Sequence, residues 1–188
     1  MSTLAVNTIT AETGNTVSLA SGKTLNASQG FTPPAGHVIQ VQQKVLSRAA
    51  RSATSIIEGN TGVGANVTTT STSWVSTGIT QAITIQANNK ILMQAAISDI
   101  VSQTEAASVG FAFYINGTEV NIISSHAGYG GAVTERHHVN GVFLSKALAA
   151  GTYTIDVRWR VTSSTAYFLN GHTSSNSESS LILQEIQA

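Results

Sequence analysis

Side chains able to do acid–base, metal or nucleophilic chemistry are sparse in this chain. It holds nine Asp and Glu, nine Lys and Arg, five His and no Cys. The acids beyond the first segment are scattered: Glu58, Asp99, Glu105, Glu119, Glu135, Asp156, Glu178 and Glu185. Glycoside hydrolysis needs two carboxyls facing each other across a cleft, and spacing marks out no such pair. There is no Gly-x-Ser-x-Gly, no complete phosphate loop ending in Gly-Lys-Ser/Thr and no His-Glu-x-x-His. The histidines are His37, His126, His137, His138 and His172. His137 and His138 look like a metal pair, but adjacent strand residues face opposite sides. One chain cannot then ligate one ion with both. A single His near a three-fold axis would appear three times and form a site; the plainer reading has one packed and one exposed. The expectation is no catalytic residue, no metal and no cofactor.

The remaining chemistry is recognition. Asp156, Arg158 and Arg160 alternate along one strand face, either as an ion-pair row in water or as a subunit interface, where Arg is favoured. Trp74, Tyr114, Tyr129, Tyr167 and Phe168 are candidates for stacking on sugar if exposed. Tyr129 sits in Gly128-Tyr129-Gly130-Gly131, a loop that either presents the ring or anchors itself with it. Tyr129 and Tyr167 are the candidates for glycan contact. Trp159, Phe111 and Phe113 read as core.

Those residues need a scaffold, and its clearest element is GTYTIDVRWRVTS, Gly151 to Ser163. Tyr153, Ile155, Val157, Trp159 and Val161 fall on one side, polar residues on the other. A period of two marks a strand with one face in a core. Strands of similar rhythm are predicted over 37–45, 67–77, 79–86, 90–101, 108–115, 118–124, 135–148, 165–169 and 180–186. Asn116-Gly117 is a strong two-residue hairpin signal. Turns about every 8–12 residues and no convincing helix predict an all-β jelly roll or sandwich. Segment 46–64 is ambiguous between a short helix carrying Arg48 and Arg51 and a loop with a strand at Ser55 to Ile57.

Residues 1–30 differ. Short apolar pieces (Leu4 and Val6, Ile9, Val17 and Leu19, Leu25) alternate with Gly14-Asn15 and Ser21-Gly22. Alone they bury too little to offset ordering entropy. They read as a flexible tail or as a thin β-module that folds when several copies wrap together. Residues 31–36, FTPPAG, form a semi-rigid linker, since two prolines enforce extended backbone. Residues 37–188 are the head domain.

Composition bounds the partners. Only 10% of the 188 residues are charged, against roughly 25% in typical proteins, and net charge is zero. That gives no electrostatic footprint for nucleic acid or an anionic membrane. No apolar run approaches the ~20 residues of a membrane helix. The opening MSTLAVNTITAETG lacks a basic segment before an apolar core, so no secretory signal is expected.

Several stretches carry a family resemblance. LAVNTITAETGNTVSLASGKTLNAS, PPAGHVIQVQ, TSTSWVSTGI, NNKILMQAAI and LAAGTYTIDVRWR resemble tail fibre and fibre-like virion proteins of tailed bacteriophages, especially those of marine and cyanobacterial hosts. The Arg- and Ala-containing segment 46–64 departs from that pattern. The resemblance implies a homotrimer with a C1q/TNF-like jelly-roll head. It implies assembly in the host cytoplasm into a virion, with the N-terminus on other tail or capsid proteins. The distal head would meet a host glycan or protein. Competing roles are a capsid decoration or fibre protein, a tail adaptor, a polysaccharide depolymerase and a secreted C1q-like lectin.

Overall fold

The computed structural model describes residues 34–47, 60–62, 67–102, 108–127, 137–163, 165–168 and 178–188. The chain divides into two compact units, Met1–Thr32 and Pro33–Ala188; the expected N-terminal module lies outside the described residues, as does most of segment 46–64.

Described residues of the second unit form eleven strands and no helix. They are β1 (Val38–Ser47), β2 (Asn60–Gly62), β3 (Val67–Thr69), β4 (Val75–Ile85), β5 (Lys90–Ser102) and β6 (Ser108–Ile115). They continue with β7 (Thr118–Ala127), β8 (His137–Leu144), β9 (Gly151–Val161), β10 (Ala166–Phe168) and β11 (Glu178–Ile186). The expected strand over 67–77 is two strands. Thr69 Oγ1 accepts from the Ser71 amide and Ser71 Oγ from the Ser73 amide. These local hydroxyl–backbone bonds compete with the sheet ladder and break the strand. Of the strand expected over 135–148, the described part runs from His137 and stops at Leu144.

Pairing follows one rule. Setting aside the short β2, β3 and β10, eight strands remain. The first pairs the last (β1 with β11), the second the seventh (β4 with β9), the third the sixth (β5 with β8) and the fourth the fifth (β6 with β7). Each of these pairs is antiparallel. Bonds between β11 and β5 and between β9 and β6 then complete two sheets, β1-β11-β5-β8 and β4-β9-β6-β7. A long hairpin folded over on itself in this way is a jelly roll. The only parallel pairing among the described residues is β2 on the β1 edge.

The core lies between the sheets. The alternation that defined β9 delivers Ile155, Val157, Trp159 and Val161 to it, all buried. Trp159 stacks on Phe111 with centroids 6.1 Å apart and meets Phe168 edge-on at 5.0 Å, a geometry that suits ring quadrupoles. Ile83 and Ile85 from β4, Ile91 and Met93 from β5, and Leu181 and Leu183 from β11 complete the layer. Gly141 on β8 faces Ile123, whose side chain fills the space that a Cβ there would need.

The strands also share one polarity of ends. The Gly36 amide donates to the Gln187 carbonyl (2.7 Å), so the linker and the last residues meet at one end of the sandwich. The tight connections 86–89, 116–117 and 145–150 join strands at that end. At the other end lie the ends of β1, β3, β5 and β7 and the starts of β6, β8, β10 and β11. The longer connections join strands there.

Candidate functional site

β9 is central in its sheet, between β4 and β6. Its polar face points away from the core, where Asp156, Arg158 and Arg160 lie opposite Tyr114, Ala112 and Gly110 of β6. Asp156 is largely buried. Its Oδ1 accepts from Ser76 Oγ (2.7 Å) and Thr80 Oγ1 (3.0 Å), and its Oδ2 from Arg158 Nε (2.9 Å). The Arg158 guanidinium also lies 4.3 Å from the Tyr114 ring centroid. Within the described chain this pair is satisfied before any neighbour arrives.

Tyr114 and Trp74 meet edge to face at 6.4 Å. The Arg160 guanidinium lies 4.6 Å from the Trp74 ring centroid. Gly110 makes room for this arrangement: a Cβ there would sit 3.2 Å from the indole. Small residues at Gly110 and Ala112 leave a hollow on the outer face, and the indole and the arginine stems fill it. Tyr114, expected to stack on sugar if exposed, is thereby covered. Its hydroxyl donates to Glu119 (3.1 Å). Burial pushes the phenol above its ordinary range; the Glu119 hydrogen bond and charge add to this, and Arg158 and Arg160 oppose it. Phe168, another stacking candidate, is core.

Trp74 is half-buried and Arg160 exposed. Arg160 differs from Arg158 in charge balance. Among the described residues no carboxylate forms an ion pair with it, whereas Arg158 has Asp156.

The other sheet presents a different face. Register alone places Val41, Gln184, Leu92 and Leu144 in one row across β1, β11, β5 and β8. The next row is Gln43, Ile182, Gln94 and Val142; the third is Val45, Ser180, Ala96 and Asn140. None of these twelve side chains is ionisable. Val142 is 63% exposed, Val41 54% and Leu144 48%. Nothing local in the chain marks this face, because its members lie on four strands far apart.

A third cluster is structural. Glu185 points inward at the end where the linker enters and is almost fully buried. Its Oε1 accepts from the Gln86 amide (2.8 Å) and Asn89 Nδ2 (2.6 Å), and its Oε2 from Gln40 Nε2 (2.6 Å). Burial pushes its pKa up, but these three donors outweigh burial and hold the carboxyl below its ordinary value. The cluster ties β1, the β4–β5 turn and the last strand together.

Tyr167 is half-buried on β10 at the end of the longer connections, and Tyr129 lies outside the described residues. His137 is half-buried and His138 exposed, on opposite faces of β8. No group of three or more metal-ligating side chains occurs among the described residues.

No protein-family model matches the chain, and no curated protein matches it in sequence. Among solved structures, it is similar to the VP2 subviral particle of infectious bursal disease virus. The identity is 8%, the TM-score 0.43, and the match covers 88% of this chain and 37% of that one. A structure of the Gt strain of the same virus gives 10%, 0.40, 89% and 42%. Latent PorU from Porphyromonas gingivalis gives 8%, 0.36, 84% and 14%. The chain thus spans well under half the length of each. Likeness this distant says nothing of function, and the jelly roll rests on the strand order itself.

Proposed function

We propose that this chain is a non-enzymatic structural appendage of a virion, a tail fibre whose jelly-roll heads assemble as a homotrimer. The observation that carries the reading is the uncharged face of β1-β11-β5-β8. Alternating Gln with Val, Leu and Ile dehydrates at low cost, because no charge must be desolvated or paired. Such a face suits another copy of itself; the number three comes from the resemblance to phage fibres. The Arg face on the opposite sheet, the earlier candidate for the interface, already has partners within its own chain for Asp156 and Arg158.

The end geometry supports a proximal and a distal pole. The linker enters at one end of the sandwich, and the longer connections join strands at the other. A host contact at the far end leaves the N-terminal segment for other virion proteins. Affinity then comes from several weak contacts made together. Asp156 and Glu185, the two most enclosed carboxylates described, are each committed to donors of the fold, which leaves neither poised for acid–base work.

Labelling the protein in virion images tests the assignment. Density on tail fibres supports it, and density confined to the capsid shell replaces it with a decoration protein. Reducing ends released from host polysaccharide by the purified protein would overturn the non-enzymatic reading.

A further inference from the structure

We infer that Trp74 and Arg160 form a recognition site for a carboxylate-bearing saccharide. Two arginines stand two residues apart on one strand face and differ in charge balance. Arg158 is neutralised by Asp156 at 2.9 Å. Arg160 is exposed and has no ion pair among the described residues, yet its guanidinium is placed 4.6 Å from the indole centroid. A guanidinium held over an indole can still donate from the N–H groups in its own plane. A planar carboxylate matches that fork with two parallel hydrogen bonds.

The surroundings favour a sugar as the carrier of the carboxylate. Trp74 follows the exposed Thr72 and Ser73. The Val161 amide donates to the Ser71 carbonyl (2.9 Å), which brings this segment beside the exposed Thr162 and Ser163 at the end of β9. The short hydroxyls of these two adjoining segments offer hydrogen bonds to sugar hydroxyls, and the half-buried indole offers an apolar surface to ring C–H groups. The site lies at the end of the sandwich remote from the linker. A nucleic acid would need a wider basic surface than Arg160 provides.

As a receptor site it deepens the fibre reading and rests on it; as a binding site it is tested without the virion. The probe is a hyaluronan tetrasaccharide, which carries glucuronate carboxylates, compared with the same tetrasaccharide reduced at those carboxyls. Trp74 is the less buried of the two tryptophans, Trp159 being core, so fluorescence of the intact chain reports on the site. The expected result is saturable binding of the acidic probe, at least roughly tenfold weaker for the reduced one. Arg160→Gln should lose a similar factor, and Arg160→Lys should recover part of it, since it keeps the charge without the fork. Equal binding of both probes, no binding of either, or full binding by Arg160→Gln overturns the site. Virion adsorption separates the two claims: solution binding that persists although the protein is absent from virions sinks the fibre reading alone.

Discussion

The two outer faces of the sandwich solve the same problem in opposite ways. Each sheet buries one side against the core and must do something with the other. On β4-β9-β6-β7 the chain covers its own face: Trp74, Arg158 and Arg160 lie over Gly110, Ala112 and Tyr114, and Asp156 supplies the counter-charge. β6 is buried on both sides from Val109 to Tyr114 as a result. On β1-β11-β5-β8 nothing charged spans the three rows, and Val41, Val142 and Leu144 stay exposed. The part of the first face that the chain covers itself contributes to folding; the proposal gives the apolar, uncharged face to assembly. Substitutions on the two faces should therefore separate stability from association.

The largest effect expected is on the shared core, which sets the scale. Trp159→Ala should cost roughly 3–5 kcal/mol of stability in denaturant unfolding, through lost packing against Phe111 and Phe168. An effect below 1 kcal/mol would mean the sheets are not packed through this ring. Val142→Glu comes next. The side chain is mostly exposed in the single chain, so unfolding should shift by no more than about 0.5 kcal/mol. Association should fall by roughly 3–5 kcal/mol per subunit, because an unpaired charge is buried at the contact. Trimers of undiminished stability in this variant would return that face to solvent.

Asp156→Ala is the converse test. It leaves Ser76, Thr80 and Arg158 without their acceptor and should lower stability by about 1–3 kcal/mol. Oligomeric mass should not change. Dissociation by this variant at unchanged stability would move the interface back to the Arg face.

The smallest effect concerns acid. Glu185 has a folded pKa below its unfolded value, because its three hydrogen-bond donors outweigh burial. The carboxylate's contribution is therefore fully present above the unfolded pKa and is lost as pH falls through the folded one. Stability followed into acid should decline across that window, and Glu185→Gln should flatten that part of the decline. An identical acid limb in both proteins would show that the carboxylate is not linked to folding.

Much of the architecture was legible in the residues, for a physical reason. Period-two alternation survives wherever one face is buried and the other wet, so β9, β5 and β11 read plainly. Asn116-Gly117 announced the β6–β7 hairpin. The rule fails where both faces are buried: Tyr114 alternates like a wet-face residue, and nothing local says that Arg158 lies over it. Gly110 and Ala112, small residues alternating with Phe111 and Phe113, were the available sign of something packing from outside. The break between β3 and β4 was hidden because Ser and Thr suit strands and also the local turns that interrupt them. Glu185 finds its donors at residues 40, 86 and 89, and the uncharged rows draw on four strands. Such sites exist only once the topology has brought distant segments together.

The central claim is that the uncharged face is a subunit contact. Sedimentation equilibrium of the intact chain tests it most directly. The account predicts a mass three times that of the 19.5 kDa chain, falling to that of one chain in Val142→Glu. A stable monomer for the unaltered chain would contradict it.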